Sequence, residues 1–590
     1  MSILSESLSS RISGWDAATE AAPDTLGPEG GMSYVRGAPA PALAYITIPQ
    51  LLREAVSRFG PREAMVFCEQ GQRLSYYDLD RAVDELASGL LALGLAKGDR
   101  VGIWSPNRLE WVLTQFATAR IGAVMVNINP AYRLAELEYA LNKVGCKVLI
   151  CARAFKSSDY AGMIRTLAPE LETCKPGQLR AAKLPDLRSV VVMDDDPGPG
   201  AFSFDALCRL GGPAQLLRLP AIDKTLNPDD AINIQFTSGT TGHPKGATLS
   251  HYNIVNNARF VTDRIHLTET DRLAIPVPLY HCFGMVMGVL GALSKGAAMI
   301  FPGEGFDPAA TLDALESERC TGVYGVPTMF VAMLEALEQR PRDLSAMRTG
   351  IMAGAPCPVE VMRRVNRDMN MPEVTICYGM TETSPVSFQS FVNDPTDKRC
   401  ETVGRIHPHL EVKLIGPDGG IVPVGQAGEL CTRGYSVMKG YWEDPAQTAT
   451  SITDGWMHTG DLAMLDEAGF CSIVGRVKDM IIRGGENLFP VEIEEVLMRH
   501  PAIAEVAVLG LPDDKWGEIV AGFLRLTDGA DAPTVTELRE FVRAELSPQK
   551  TPTRWFAVDG FPLTGSGKVQ KYAIRTAWEQ SEFDGAELSA

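Results

Sequence analysis

Apolar and polar positions fall into blocks whose period switches between that of a helix and that of a strand. From Ser75 the pattern is explicit. Ser75 and Asp78 stand at capping-box spacing, and Leu79, Val83, Leu86 and Leu90 follow on one helical face. Gly98-Asp99 interrupts the chain, and residues 100–104 read as a short buried strand. Asn107 is expected to cap the next helix, with Leu109, Val112 and Phe116 turned inward, and residues 123–127 read as another strand. Strand, helix and strand with short connections predict a parallel sheet covered by helices.

The same reading divides the chain. Residues 1–44, rich in small residues and proline, are expected to form a loose leader draped over the body. Residues 169–184, polar and holding Pro176 and Gly177, predict a surface insertion. The βα rhythm runs to about Gly416, after which Gly419-Gly420 and Gly425 punctuate strand-rich segments. A second unit begins near Lys478: Val491, Ile493, Val496 and Leu497 suit a short helix, and residues 504–509 alternate like a strand. Thr534 and Glu537 repeat the capping-box spacing before Leu538, Phe541, Val542 and Leu546. The expected fold is α/β. A large domain (45–477) of layered βα sheets with a β-rich subdomain precedes a small, mobile α+β domain (478–590).

Composition narrows the function. The chain has 590 residues, and 55 basic against 73 acidic side chains leave a net charge of −18. Such a surface argues against nucleic acid as a partner. The 12 cysteines contain no C-x-x-C pair, so reduced, mostly buried thiols in a cytoplasmic enzyme are expected. Residues 1–28 lack an apolar core of signal length and hold Glu6, Asp16, Glu20 and Asp24, which disfavours both export and a mitochondrial transit peptide. The closing Leu588-Ser589-Ala590 is no peroxisomal address. Residues 273–294 are uncharged and long enough to span a bilayer. They hold Pro276, Pro278, His281, Gly284, Gly288 and Gly291, so a buried strand, turn and helix is expected instead.

The strongest chemical signal is the apolar Ile234-Gln235-Phe236 running into Thr237-Ser238-Gly239-Thr240-Thr241-Gly242-His243-Pro244-Lys245-Gly246. Glycines let backbone N–H groups face an anion, hydroxyls add donors, and lysine adds charge, which is what a polyphosphate needs. It is not a Walker A loop, because Pro244 and Gly246 flank the lysine and oppose a helix there.

This string resembles the phosphate-loop signature of the adenylate-forming (AMP-binding) superfamily, which includes acyl-CoA synthetases, firefly-type luciferases and peptide-synthetase adenylation domains. The superfamily's other motifs follow in order, and the resemblance runs from about Pro49 to Arg575. It implies nucleotide binding by Thr237, Ser238, Gly239, Thr240, Thr241, Gly242 and Lys245. In Pro278-Leu279-Tyr280-His281-Cys282-Phe283-Gly284 it places His281 beside the substrate carboxylate, with Phe283, Gly284 and Met285 in the acyl pocket. Gly354-Ala355-Pro356 matches the adenine-side loop. In Tyr378-Gly379-Met380-Thr381-Glu382-Thr383, Tyr378 would stack on adenine, Thr381 donate to the α-phosphate and Glu382 hold magnesium. The resemblance gives Asp461 the ribose hydroxyls, Arg476 the ribose or phosphates, and Lys478 the hinge. Gly484 and Gly485 would border the coenzyme A thiol, and Lys568, in Pro562-Leu563-Thr564-Gly565-Ser566-Gly567-Lys568, would be the catalytic lysine.

The implied reaction is a ligation. A carboxylate attacks the ATP α-phosphorus with magnesium and Lys568 assisting, pyrophosphate leaves, and the small domain turns about Lys478 so that coenzyme A takes the acyl group. No acidic residue follows the aromatic of the His281 motif, which disfavours amino acid substrates. The phrase from Lys478 to Asn487 is most like the medium-chain "family 2" fatty acyl-CoA synthetases. An aryl or short branched acid, a fatty acyl-AMP ligase, and a catalytically dead binding homologue remain alternatives, and a homodimer is entertained as the assembly.

Overall fold

The computed structural model describes residues 27–237, 244–483, 486–513, 515–527, 529–563, 569–583 and 585–588. Two large sheets carry the architecture. One has eight strands, parallel from Phe202–Ser203 through Ser189–Val192, Val148–Cys151, Arg100–Trp104 and Val124–Asn127 to Ala231–Thr237. There the direction reverses. Ala231–Thr237 pairs antiparallel with Lys245–Ser250, the last pair being Thr237 with Lys245. The other has nine strands with a parallel centre formed by Glu63–Phe67, Ala298–Phe301, Arg272–Ala274, Gly322–Gly325, Thr349–Ala353 and Glu373–Gly379.

The helices Leu109–Ile121 and His251–Arg264 are buried on nearly every side. That is what the interior layer of a helix–sheet stack requires. Polar groups on them are matched to backbone. The Asn257 amide donates to Val386 O (2.8 Å) and accepts from Val386 N (3.0 Å). Both capping boxes form: Asp78 N donates to Ser75 Oγ (3.2 Å) and Ser75 N to Asp78 Oδ2 (3.1 Å), while Thr534 N donates to Glu537 Oε2 (2.7 Å).

A six-stranded antiparallel sheet (among its strands Leu410–Ile415, Gly428–Gly434, Trp456–Leu465 and Cys471–Arg476) and a five-stranded sheet beginning at Ile481–Arg483 complete the fold. The change from parallel to antiparallel order thus falls before Leu410, ahead of Gly416.

Three expectations need correction. Asn107 caps no helix: Arg108 holds the N-cap position of Leu109–Ile121. The Asn107 side chain is buried instead against Val277 O (3.0 Å) and Leu279 N (2.8 Å). The leader is no loose drape over its described part. Tyr34–Arg36 pairs antiparallel with Leu410–Ile415, and Ala44 is clamped by Asn256 through N–H (2.7 Å) and O (2.9 Å). Nor is 169–184 only surface, because Leu171, Leu179, Ala181 and Leu184 are buried. Residues 273–294 do form buried strand, turn and helix, with Phe283–Leu290 wound as a π-helix. Among the described residues no helix is long and apolar enough to cross a membrane.

The layering has a pH cost. His251 lies wholly inside, its Nδ1 accepting from Ile48 N (3.1 Å), and burial pushes its pKa down to about 3. His407 is likewise pushed well below its usual range by burial and by Arg264. Between pH 6.5 and 3 the unfolded chain binds a proton that native His251 refuses. Stability is therefore full above about pH 6.5 and falls by ~1.4 kcal/mol per pH unit below it. The urea midpoint should drop less from pH 7 to pH 5 in His251→Asn than in the parent, since Asn keeps the acceptor and cannot charge; equal drops would remove His251 from the account.

Candidate active site

In open α/β sheets, ligands bind beyond the carboxyl ends of the parallel strands. Here those ends carry Thr237, Ala353 and Gly379. The Glu373–Gly379 strand runs into a tight turn. Met380 N donates to Pro385 O (3.0 Å), and Ser384 takes φ +73°. A Cβ on Gly379 would sit 1.8 Å from Pro385 O, so the turn admits no side chain there.

This turn delivers Glu382 to Thr237. The Glu382 carboxylate is 5% exposed, and its Oε1 accepts from Thr237 Oγ1 (3.1 Å) and Tyr441 O–H (3.0 Å). Lys245 Nζ lies 5.3 Å from the centre of the Tyr441 ring. A cavity of about 100 Å³ opens beside it, lined among others by Lys143, Lys245, Tyr139, Tyr441 and Trp442. Thr381 is half-buried on the same turn. A buried carboxylate flanked by hydroxyls and a lysine can hold a hard cation together with phosphate oxygens.

A second cluster is built on Tyr378, at the end of the same strand that leads to Glu382. Asp461, buried on Trp456–Leu465, accepts from Tyr378 O–H (2.6 Å) at Oδ2 and pairs with Arg476 Nε (2.9 Å) at Oδ1. Asp461 and Arg476 are cross-strand partners. Burial and the Asp461 charge hold the Tyr378 phenol well above its usual pKa, so it stays a neutral donor. Gly354, at φ +95°, Ala355 and Pro356 form an exposed loop at the end of the adjoining strand Thr349–Ala353. An aromatic face, a two-oxygen acceptor and a small-residue loop suit a nucleoside.

The acyl motif is fixed by Asn107, whose amide bonds both sides of Pro278. Gly284 N donates to His281 O (3.1 Å), and a Cβ on Gly284 would meet Pro278 O at 2.4 Å. The Tyr280 and His281 rings lie 3.9 Å apart, and Phe283 stacks on Tyr324 at 5.5 Å. Met285, expected in the pocket wall, is 1% exposed. Its Sδ accepts from Asn127 Nδ2 (3.2 Å) and Gln235 Nε2 (3.1 Å). It therefore ties the acyl motif to the strand that feeds the phosphate loop.

Lys478 is exposed in the short turn Val477–Asp479 between the six- and five-stranded sheets. Ser238, Gly239, Thr240, Thr241, Gly242, Gly484, Gly485 and Lys568 lie outside the described residues. Flanking Lys568, Leu563 and Val569 bridge antiparallel, and Gln570 N donates to Pro562 O (2.8 Å).

Sequence reasoning missed Tyr441, Tyr324 and Trp516. Trp516 is 42% exposed, with the Arg483 guanidinium 5.3 Å and Lys515 Nζ 5.0 Å from its ring centre. Lys515-Trp516, a cation beside an aromatic, was the available signal.

Comparison with known proteins gives a consistent result. The profile described as AMP-binding enzyme matches residues 52–442, and that of the AMP-binding enzyme C-terminal domain matches residues 492–568. The chain is 47% identical over 552 residues to a protein from Danio rerio named medium-chain acyl-CoA ligase ACSF2, mitochondrial, covering 93% of this chain and 91% of the relative. It is 44% identical over 535 residues to the putative acyl-CoA synthetase YngI of Bacillus subtilis, covering 90% and 97%. Among solved structures, ATP-bound MatB from Rhodopseudomonas palustris superposes with a TM-score of 0.75 at 28% identity, covering 91% of this chain and all of that one. The chain belongs to the AMP-binding enzyme family.

Proposed function

We propose that this protein joins a medium-chain aliphatic carboxylic acid to coenzyme A through an acyl-adenylate, releasing AMP and pyrophosphate. The observation that carries the reading is that one strand and the turn after it supply both clusters, Glu382 to Thr237 and Tyr441, and Tyr378 to Asp461 and Arg476. One suits polyphosphate and cation, the other a nucleoside. The medium-chain assignment leans on the printed names of the curated relatives.

In the first half-reaction the acid's carboxylate oxygen attacks the ATP α-phosphorus, and the bond to pyrophosphate breaks. Tyr378 and Asp461 orient the nucleoside, and Lys245 and the hydroxyls of its loop take the departing phosphates. Thr381 donates to the α-phosphate, and His281 lies against the carboxylate. Magnesium fits the oxygen donors at Glu382 and, when bound there, neutralises phosphate charge. Lys568 supplies positive charge between carboxylate and α-phosphate. In the second half-reaction the small domain turns about Lys478, Gly484 and Gly485 border the thiol, and the sulfur displaces AMP. Positioning and electrostatics suffice, without a strong general base.

Trp516, with Lys515 and Arg483 beside it, suits the adenine and phosphates of coenzyme A. Trp516→Ala should raise the KM for coenzyme A about tenfold, by loss of base stacking. Adenylation, measured by pyrophosphate–ATP exchange, should be unchanged; an unchanged KM would remove Trp516 from the site. All twelve cysteines are free, which suits a reducing compartment, and the cytoplasm is the one proposed.

The test is AMP formation over short, medium, long, branched, aromatic and amino acids, with and without coenzyme A. Turnover that needs coenzyme A and peaks at medium aliphatic acids is expected. Adenylate accumulation indifferent to coenzyme A would instead make the protein an acyl-AMP ligase, and silence would make it a binding homologue.

A further inference from the structure

Two neighbouring strands bring together a set of side chains for which the ligation has no use. Cys431 on Gly428–Gly434 and His458 on Trp456–Leu465 are direct cross-strand partners, and Glu429 lies two residues before Cys431 on the same face. Their Sγ, Nδ1 and carboxylate atoms all lie within 4.8 Å of one another. His458 Nδ1 is 3.5 Å from Cys431 Sγ and 3.2 Å from Glu429 Oε2.

These spacings are those of hydrogen bonds, and they are also compatible with a metal. A tetrahedral zinc ion with its usual bond lengths separates an imidazole nitrogen from a thiolate by about 3.5 Å and from a carboxylate oxygen by about 3.4 Å. The two pairs that include His458 Nδ1 therefore need little rearrangement, and the thiol and carboxylate lie within 4.8 Å of each other. The side chains of His458 and Glu429 are 29% and 24% exposed, so solvent can reach an ion and complete a fourth position. Sulfur, nitrogen and oxygen together select a borderline-soft cation and disfavour magnesium, which demands oxygen donors. Lys413, the partner of Cys431 on the neighbouring strand, favours the thiolate and extends over the Trp456 ring at 4.5 Å.

We propose that Glu429, Cys431 and His458 form a zinc site that restrains nucleotide binding. Binding exchanges the thiol proton of Cys431 for a sulfur–zinc bond and releases that proton to solvent. The link to ATP is short. Glu429 Oε1 accepts from Gly460 N (3.2 Å), and Gly460, at φ +71°, immediately precedes Asp461. An ion seated between Glu429 and His458 fixes the carboxylate that accepts from Gly460 N, and so bears on the turn from which the Asp461 carboxylate is presented. The effect on ATP rests on the function proposed above; the binding of metal does not.

The experiment uses the untagged full-length chain. Titration with cadmium, a spectroscopic stand-in for zinc, should develop the ultraviolet thiolate-to-metal band to one equivalent. Zinc affinity is read in parallel against a chromophoric chelator. Cys431→Ser should abolish the band, and His458→Gln and Glu429→Gln should each weaken zinc binding by about 10–100-fold. In the ligase assay, zinc should raise the KM for ATP several-fold in the parent and leave Cys431→Ser, whose activity without zinc is unchanged, unaffected. A band that persists in Cys431→Ser, or no metal uptake by the parent, overturns the site. Specific uptake with equal zinc sensitivity in parent and Cys431→Ser overturns its coupling to ATP.

Discussion

Glu382→Gln is expected to lower adenylate formation by about 10²–10³-fold while leaving the protein folded. The substitution is isosteric. Its side-chain oxygen still accepts from Tyr441 O–H and Thr237 Oγ1, the two donors on Oε1 in the parent. The backbone of residue 382 keeps its bond from Met438 N (2.9 Å). What disappears is the negative charge, and with it the reason for a cation to sit between protein and phosphates. Tyr441→Phe separates charge from orientation: it removes one bond to Oε1 and should cost about 10–100-fold, as one hydrogen bond to a charged group typically does. The measurements are single-turnover adenylation and thermal unfolding. A Gln variant as active as the parent would free Glu382 of its assigned role, and a large drop in unfolding temperature would trace any loss to the turn instead.

Lys568→Ala is expected to divide the two half-reactions. Adenylation should fall by about 10²–10³-fold, because one positive group is withdrawn from charge that develops between carboxylate and α-phosphate. Thioester formation from supplied acyl-adenylate should stay within a few-fold of the parent, since the proposed rotation withdraws Lys568 before that step. Equal loss in both halves would show that residue 568 matters for the small domain as a whole and not for one chemical step. Unimpaired adenylation would end its assignment.

What the sequence discloses depends on how locally a feature is determined. The capping boxes at Ser75 and Thr534 involve residues three positions apart, and both form as expected. The Thr237-to-Gly246 string is equally local: its glycines and hydroxyls state their chemistry without a partner. Asn107 is the opposite case. Its spacing suits a cap, but Val277 and Leu279 offer a better pair of bonds from across the molecule, and nothing near residue 107 announces them. Met285 shows a second limit. An apolar residue in an apolar run gives no sign of polar partners, and the amides that bond Met285 Sδ come from Asn127 and Gln235, far off in the chain. Tyr441 was missed for the same reason as Asn107, since its hydroxyl acquires meaning at Glu382, far away in the chain.

The pairing of Tyr34–Arg36 with Leu410–Ile415 has a consequence for biosynthesis. The first of these strands leaves the ribosome roughly 380 residues before its partner. At typical elongation rates of about 5–20 residues per second, it waits some 20–80 seconds with its edge unpaired. The sheet that presents Asp461 is therefore closed late, by a segment made about 380 residues earlier. A nascent chain interrupted before residue 410 would leave that segment open to proteases and chaperones, however well the layers behind it had already packed.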